Sequence, residues 1–235
     1  YGYHQGSKSE LIQDNMTRSS LWQGAERHAP SGKPTSAIIL LHGLGSNAED
    51  LISLAPLLAP VLPNTVFISP NAPWPCDMAP YGYQWFSLQD RSAENRWAGV
   101  QQAAPYLMQF VPEVAAEFGL PLGRIVMMGF SQGCMMSLHV ALRLEEQIAG
   151  VVGLSGALIG PEHLEAEIRS RPPVLLAHGQ MDPVVPYGAM AVAETVLQRN
   201  NVPVETITSP QMQHNIDDLV LTATAQFLMK ILGEG

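Results

Sequence analysis

Ser131 has the strongest sequence context for covalent chemistry, because it is the central residue of Gly129-Phe130-Ser131-Gln132-Gly133. This G-x-S-x-G pattern is typical of a nucleophilic serine on a sharp turn between a strand and a helix. The segment 124–128 before it has the length of a buried strand, and the apolar segment 134–142 after it has the composition of a buried helix. We therefore predict that Ser131 is a nucleophile presented at the start of a helix.

Asp182 and His214 are the best candidates for the two groups that a serine nucleophile requires. A serine hydroxyl is a weak nucleophile at neutral pH, so a histidine must accept its proton, and a carboxylate must orient that histidine. Ser131, Asp182 and His214 each follow a predicted strand, and their order along the chain is that of the α/β-hydrolases. The carboxyl ends of parallel strands meet at one edge of a sheet. We therefore predict that these three residues form a catalytic triad.

Other residues of the same types have weaker sequence contexts. Ser155 also follows a strand but lacks the full G-x-S-x-G pattern, and Asp217 and Asp218 are better placed to interact with the N-terminus of the final helix. No predicted strand would position Asp77 or Asp90. We predict structural roles for the remaining candidates, which are His42, His139, His178 and Cys134.

An acyl-transfer site also needs two N–H donors for the oxygen that becomes negatively charged. The first donor should be the backbone N–H of Gln132, the residue after the nucleophile. The second should come from the glycine-rich turn 42–46, which follows the first buried strand, and we assign it to Leu44. Only the backbone of Leu44 is required, so the identity of its side chain matters little.

Strand-length apolar segments alternate with helical segments along most of the chain. The predicted strands are 36–41, 65–69, 124–128, 150–155, 173–178 and 204–208, and the predicted helices are 47–58, 92–118, 134–142, 162–170, 187–199 and a final helix from about residue 216. Pro105 and Pro112 predict a kink or two shorter helices within 92–118. Alternation of apolar strands with helices predicts an α/β fold whose mostly parallel central sheet has helices on both faces.

The segment 70–90 contains four prolines and predicts a long loop, which in a compact domain is usually functional. Six loop residues are candidates for walls of a substrate pocket: Trp74, Met78, Trp85, Phe86, Met181 and Met212. Methionine and aromatic side chains adapt to apolar groups such as acyl chains. Ordinary loop packing explains each of them equally well.

Length and charge exclude several classes of protein. A chain of 235 residues with 46% hydrophobic residues fits a single domain, and no apolar segment is long enough to span a membrane. A net charge of −9 argues against a nucleic-acid partner. With only two cysteines, a reducing compartment and hence a cytoplasmic location are favoured. Residues 1–15 are predicted to be an irregular leader or a remnant of an expression tag, and residues 16–235 to be the folded domain.

Several short segments together carry a resemblance to a known family. They are Leu41-His42-Gly43-Leu44-Gly45, Pro70-Asn71-Ala72-Pro73, Trp85-Phe86, Gly129-Phe130-Ser131-Gln132-Gly133, Leu154-Ser155-Gly156, His178-Gly179, Asp182, Val185-Pro186 and His214. In these features the chain resembles the phospholipase/carboxylesterase branch of the α/β-hydrolases, which includes bacterial carboxylesterases and acyl-protein thioesterases. The resemblance implies hydrolysis of carboxylic esters or thioesters without a cofactor or metal. It also implies the same triad and the same oxyanion donors.

Three residues depart from the pattern of the family. Ser46 stands where an acidic residue is usual, Cys134 where a second glycine is usual, and Gln213 where glycine commonly precedes the catalytic histidine. None of these changes removes a catalytic group, so they bear on the shape of the pocket.

The sequence therefore predicts a serine carboxylesterase that hydrolyses small to medium acyl esters through an acyl-enzyme. An acyl-protein thioesterase or a lysophospholipase with the same triad is the close alternative. A binding module on the same fold and a partner-binding protein with an exposed apolar face are the rivals from other classes. The expected partner is a small-molecule acyl ester or thioester, and a homodimer is left open.

Overall fold

A seven-stranded sheet forms the centre of the protein in the computed structural model, which describes residues 18–233. The predicted leader, residues 1–15, lies outside the described residues. Within them the strands are β1 (Glu26–His28), β2 (Ser36–Leu41), β3 (Thr65–Ser69), β4 (Trp74–Pro75), β5 (Tyr83–Gln84), β6 (Ile125–Phe130), β7 (Gly150–Leu154), β8 (Val174–Gly179) and β9 (Val204–Ser209). The α-helices are α1 (Ala48–Ile52), α2 (Ala55–Leu58), α3 (Ala93–Phe118), α4 (Gln132–Ala141), α5 (Leu164–Glu167), α6 (Gly188–Arg199) and α7 (Asp218–Leu232).

The strand order in the main sheet is β1-β3-β2-β6-β7-β8-β9. Only the pairing of β1 with β3 is antiparallel, so the predicted mostly parallel sheet is confirmed. Strands β2, β3 and β7 are buried along their whole length, which explains why their sequences are continuously apolar rather than alternating. The order places β6, which leads to Ser131, two strands from β8, which leads to Asp182.

Helices cover both faces of the sheet, and each face has its own hydrophobic cluster. One cluster joins the sheet to helices α3, α4, α5 and α6, and the other joins it to α1, α2 and α7. The side chains of β2 alternate between the two, since Ile39 and Leu41 belong to the first cluster and Ile38 and Leu40 to the second. The fold class predicted from the sequence is therefore confirmed.

Prolines explain two differences between the predicted and the observed helices. The predicted helix 47–58 is divided into α1 and α2, because the ring of Pro56 near the start of α2 is incompatible with the carbonyl of the preceding turn. By contrast, α3 is one continuous helix of 26 residues despite Pro105 and Pro112, so the prediction of two shorter helices is wrong. Both prolines are exposed, and water can bind the carbonyl groups that they leave without partners.

Three short strands were absent from the sequence-based prediction. Strand β1 carries the charged residues of Glu26–His28 at an edge of the sheet, where no apolar pattern is required. Strands β4 and β5 pair within the long loop 70–90, which is therefore not free of structure.

The predicted helix 162–170 is shortened to a 3₁₀ turn, Pro161–His163, followed by α5. Within residues 18–233, no helix has the length and hydropathy that crossing a bilayer would require.

Candidate active site

Ser131 lies between β6 and α4 with a backbone conformation that few residues other than glycine adopt, at φ 54° and ψ −115°. The turn is this sharp because its two glycines are in contact with backbone. A Cβ atom on Gly133 would lie 1.8 Å from the carbonyl oxygen of Leu41, and one on Gly129 would lie 2.1 Å from that of Gly133. Strain of this kind persists only where the surrounding structure imposes it, and it is concentrated at functional sites.

The structure brings the three predicted triad residues together in one hydrogen-bonded chain. His214 Nε2 lies 3.0 Å from Ser131 Oγ, and His214 Nδ1 lies 2.8 Å from Asp182 Oδ2. The ionised carboxylate can only accept, so the Nδ1–H of His214 donates to it. This leaves the Nε2 lone pair of His214 to accept the hydroxyl proton of Ser131.

Asp182 has a buried side chain whose two oxygens are both engaged. Oδ1 accepts hydrogen bonds from the N–H groups of Val184 and Val185, at 2.8 and 2.9 Å, while Oδ2 accepts from His214. Burial by itself would raise the pKa of Asp182, but the hydrogen bonds from His214, Val185 and Val184 outweigh it and hold the pKa below its usual value. The carboxylate of Asp182 is therefore ionised at neutral pH, where it accepts the hydrogen bond from His214.

His178 supports the same carboxylate, which the sequence alone did not indicate. Its ring is buried, and its Nε2–H donates to the carbonyl of Val185 at 3.0 Å. The same nitrogen lies 3.3 Å from Asp182 Oδ2. His178 and the backbone of Val185 thus fix the loop that carries Asp182.

The predicted oxyanion donors, Leu44 and Gln132, border the same cavity as Ser131. Gln132 is the first residue of α4, and the N–H groups of a first helical turn have no acceptor within their helix. The turn that carries Leu44 packs on the nucleophile, because a Cβ atom on Gly43 would lie 3.3 Å from the Cβ of Ser131. The positions of both residues suit donation to an oxygen next to Ser131.

His42 fixes the turn that carries Leu44. Its ring is buried, and Nδ1–H donates to the carbonyl of Gly43 at 2.7 Å while Nε2 accepts from the N–H of Ala72 at 2.9 Å. Burial lowers the pKa of His42, against the raising effects of its bond to Gly43 and of the Asp50 charge. A neutral ring with one donor and one acceptor fits both contacts.

Trp85 and Gln132 connect the long loop to the nucleophile turn. The indole N–H of Trp85 donates to the carbonyl of His42 at 3.0 Å. The side chain of Gln132 accepts from the N–H of Trp85 and donates to the carbonyl of Phe86, both at 2.8 Å. Segment 84–86 is thereby bound to both segments that carry the predicted oxyanion donors.

None of the six candidate pocket residues lines the cavity at Ser131. Trp85, Phe86 and Met212 are buried in the hydrophobic clusters, and Trp74 packs edge-on against Tyr106. Met78 and Met181 are exposed on the surface. The apolar side chains that line the cavity come instead from other elements, among them Leu88, Met135, Val184 and Ala189.

The cavity at Ser131 has a volume of about 500 Å³, within the range of pockets that hold small molecules. Met135 could have been found from the sequence, because it lies one helical turn after Ser131 and so on the same face of α4. Arg91 and Arg96 also line the cavity and were missed. The only sign of them in the sequence is that two basic residues lie near the start of a long helix. Acidic residues are favoured at that position because they interact well with the helix dipole.

Cys134 is buried and is not a competing nucleophile. Burial raises the pKa of its thiol to about 12, against the lowering effects of hydrogen bonds from Gly156 and Ala157. The two glycines after and within β7 make room for it, since a Cβ atom on Gly153 or Gly156 would lie 2.8 or 2.5 Å from its sulfur. This accounts for a cysteine where the family usually has glycine. Ser46, another departure, donates to Asp50 Oδ2 at 2.7 Å.

The order of the strands, the helices on both faces and the position of the serine turn are those of the α/β-hydrolase class. A family model described as phospholipase/carboxylesterase matches residues 23–232, and the chain belongs to that family. The protein is thus a carboxylic ester hydrolase.

Individual relatives agree with this assignment. The crystal structure of esterase PE8 is 38% identical with a TM-score of 0.86, over 89% of this chain and 99% of that one. Acyl-protein thioesterase 1 of Schizosaccharomyces pombe is 28% identical over 87% of this chain and 94% of its own length. The structure of Zea mays acyl-protein thioesterase 2, at 24% identity, has the same fold with a TM-score of 0.74 over 89% of this chain and 99% of that one.

Proposed function

We propose that the protein is a serine carboxylesterase in which Ser131, His214 and Asp182 act as the catalytic triad on small to medium acyl esters. The observation that carries the proposal is the hydrogen-bonded chain from Ser131 Oγ through His214 to Asp182, at 3.0 and 2.8 Å, at the wall of a cavity. The cavity volume of about 500 Å³ favours a small or medium acyl group.

The reaction follows from the arrangement of these atoms. His214 Nε2 accepts the proton of Ser131 as Oγ attacks the ester carbonyl carbon, and the carbonyl oxygen becomes negative. The backbone N–H groups of Leu44 and Gln132 donate to that oxygen. The protonated ring then gives its proton to the leaving alcohol, which breaks the ester bond and leaves an acyl group on Ser131. Water, activated by the same nitrogen, releases the acid.

Asp182 acts throughout by stabilising the imidazolium form of His214 and by holding its Nδ1–H in place. It keeps its own negative charge, in agreement with a pKa held below the usual value. Neither a metal nor a cofactor enters any of these steps.

An acyl-protein thioesterase is the second candidate, because the S. pombe relative carries that name. A thioester carbonyl is attacked by the same serine, and its oxygen is stabilised by the same donors. A lysophospholipase activity would use them too. A series of 4-nitrophenyl esters and matching acyl thioesters of graded chain length ranks these substrates directly.

Substitution of Ser131 by alanine tests the proposal, with Ser155→Ala as the matched control. Ser155 is the other serine that directly follows a parallel strand, and its buried hydroxyl has no hydrogen-bond partner within residues 18–233. We expect Ser131→Ala to lose ester hydrolysis and labelling by a fluorophosphonate probe, and Ser155→Ala to keep both. Retention of a tenth of wild-type kcat in Ser131→Ala would mean that another nucleophile acts. Absence of labelling in the wild-type protein would favour a binding module.

Location and assembly complete the proposal. We infer a cytoplasmic enzyme from the two free cysteines, one of them buried. A homodimer is the assembly to be tested. Sedimentation velocity distinguishes a 25.5 kDa monomer from a dimer of twice that mass.

A further inference from the structure

The cavity at Ser131 is positively charged although the protein is acidic. The whole chain has 21 acidic and 12 basic residues, which gives a net charge of −9. Yet the residues that line the cavity include Arg91 and Arg96 and no aspartate or glutamate. The two arginines share this wall with Ser131 and His214. No carboxylate among the lining residues balances the charges of Arg91 and Arg96.

Among the described residues, the side chains of Arg91 and Arg96 make no hydrogen bond or ion pair to the protein, a property that they share with the exposed Arg199 on the surface of α6. Arg18, Arg27, Arg143 and Arg169 lie within ion-pair distance of glutamates, and Arg124 and Arg171 donate to backbone carbonyls. Within residues 18–233 neither Arg91 nor Arg96 forms an ion pair with a carboxylate.

Arg96 shows the stronger need for a ligand. Its Nε is buried and has no hydrogen-bond partner among the described residues. A buried donor without an acceptor costs free energy, on the order of 1–3 kcal/mol. Arg96 is also the fourth residue of α3, a helix of 26 residues. The first turn of a helix carries partial positive charge, so a cation there is locally unfavourable.

Most of the remaining cavity wall is apolar, with Leu88, Met135 and Ala189 among its residues, although Ser46 and Gln132 also border the cavity. An apolar wall combined with two unpaired guanidinium groups fits a ligand with a short hydrocarbon portion and an anionic end. Guanidinium groups bind carboxylates through paired, charge-assisted hydrogen bonds. We propose that the preferred substrate is an ester that carries a free carboxylate, which Arg91 and Arg96 bind while Ser131 attacks the ester carbonyl.

This inference rests on the proposed function and specifies its substrate class. The carboxylate can belong to the acyl portion, as in a half-ester of a dicarboxylic acid, or to the alcohol portion. In both cases the bonds made and broken are those of ester hydrolysis, and the arginines exchange no proton. They lower KM and orient the substrate.

Two pairs of substrates, matched in size, test the proposal. The acyl pair is the mono-4-nitrophenyl ester of glutaric acid and its terminal carboxamide analogue. The alcohol pair is 3-carboxyphenyl butyrate and 3-carbamoylphenyl butyrate. Each pair differs only in the charge of one group, and rates with Ser131→Ala are subtracted as the background. We expect kcat/KM to favour the carboxylate by at least about tenfold in one pair, chiefly through KM, given the strength of hydrogen bonds to charged groups.

Arg91→Met, Arg96→Met and the double variant provide the second part of the test. Methionine keeps an unbranched apolar side chain, so the wall is retained while the charge is lost. We expect the preference for the carboxylate to fall in each single variant and to approach one in the double variant. Arg199→Met is the matched control, because Arg199 is an exposed arginine at the far end of α6. It should keep both the rates and the ratio. Higher ionic strength should reduce the ratio in wild type.

Calorimetric binding of glutarate to Ser131→Ala, compared with its triple variant Ser131→Ala/Arg91→Met/Arg96→Met, separates this inference from the proposed function. We expect binding to weaken at least tenfold in the triple variant, whether or not turnover occurs. A preference near one in both substrate pairs, or a preference that survives in the double variant, would overturn the inference while neutral-ester hydrolysis still supports the esterase. Equal glutarate binding in the two proteins would overturn it even if no ester is hydrolysed.

Discussion

Asp182 is the residue whose substitution most sharply tests the site. In Asp182→Asn, one amide oxygen can still accept from Val184 and Val185. The amide nitrogen then occupies the position of Oδ2 and faces the Nδ1–H of His214, so two donors meet. The ring must take the other tautomer, with its proton on the nitrogen that should accept from Ser131. We expect kcat to fall by roughly 10⁴, the scale of the same change in serine proteases.

Asp217→Asn is the control for this prediction. Asp217 is the N-cap of α7, and its side chain accepts from the N–H of Val220 at 2.9 Å. Asparagine is an equally good N-cap, so kcat should stay within a fewfold of wild type. Steady-state kinetics and fluorophosphonate labelling rates measure both variants. A larger loss in Asp217→Asn than in Asp182→Asn would show that the acid has been misassigned.

His139, which belongs to none of the hydrogen bonds of the candidate triad, should make the stability of the protein depend on pH. Its ring is buried on α4 against Trp97, and its Nδ1 has no partner within residues 18–233. Burial, with a smaller contribution from Arg143, lowers the pKa of His139 from 6.5 to about 3. Between these values the unfolded chain binds a proton that the folded protein does not. The unfolding free energy should therefore fall as pH drops from about 6.5, by up to roughly 1.4 kcal/mol for each pH unit.

His139→Leu removes this proton linkage. Urea titrations at pH 7.5 and 5.5 should show a smaller difference in unfolding free energy than in wild type, whatever the variant's absolute stability. Leu138→Ala, on the same helix, also removes buried contacts but no titratable group, so it should keep the wild-type difference. An unchanged pH dependence in His139→Leu would contradict the prediction.

The sequence predicted the position of the triad better than the walls of the cavity. Ser131, Asp182 and His214 each follow the end of a parallel strand, and such ends necessarily meet at one edge of the sheet. The walls depend on where loop side chains point, which sequence alone does not determine. Trp85 is an example, because its indole turns inward to donate to the carbonyl of His42 and is fully buried there.

At the scale of elements, the Gln132 side chain makes the contact between the nucleophile helix and the long loop. It satisfies the N–H of Trp85 and the carbonyl of Phe86 in a buried environment. Gln132→Met has a similar volume but leaves both backbone groups without partners. We expect a loss of about 2–4 kcal/mol in unfolding free energy and faster proteolysis within 70–90. Catalysis should decline too, because the loop also holds His42.

Ser137→Ala is the control for Gln132→Met. Ser137 is buried on the same helix, and its hydroxyl donates only to the carbonyl of Gly133 within that helix. The carbonyl keeps its own helical partner, so we expect a loss below about 1 kcal/mol and no change in proteolysis of the loop. Urea unfolding and limited proteolysis followed by mass spectrometry measure both effects. Equal cleavage of wild type and Gln132→Met within 70–90 would contradict the proposed contact.

Elements whose sequences are continuously apolar were predictable, whereas elements set by contacts between distant segments were not. The central strands β2, β3 and β7 are buried on both faces, and their composition reports this directly. Strand β1 is defined only by its pairing with β3, and β4 by its pairing with β5. The continuity of α3 likewise depends on Pro105 and Pro112 both lying on the exposed face of the helix. The spacing of apolar residues predicted a helix in this segment but did not show which of its faces would be exposed.

At the scale of the whole molecule, the parallel sheet separates a reactive edge from a stabilising one. Ser131, Asp182 and His214 lie beyond the carboxyl ends of β6, β8 and β9. Arg124 lies at the opposite edge, immediately before β6. Its guanidinium donates to the carbonyl of Thr35, before β2, and to that of Leu232, at the end of α7. One side chain therefore joins the starts of two central strands to the C-terminus of the last helix.

Substitution of Arg124 should consequently affect stability and not catalysis. Arg124→Met loses two charge-assisted hydrogen bonds and a favourable cation at the C-terminal end of α7, and we expect the unfolding free energy to fall by about 1–3 kcal/mol. Arg171→Met is the matched control, since exposed Arg171 makes one such bond, to the carbonyl of Asn200 at 2.7 Å, and its loss should be smaller. Below the unfolding transition, kcat/KM of both variants should equal that of wild type, because the hydrogen-bond partners of these arginines, Thr35, Leu232 and Asn200, lie outside the site. Urea unfolding and ester kinetics at 25 °C measure the two effects separately. The contradicting result would be a fall in kcat/KM of Arg124→Met in a sample that circular dichroism shows to be fully folded. It would mean that the two edges of the sheet are coupled, and that the packing of α7 on the sheet affects the position of His214.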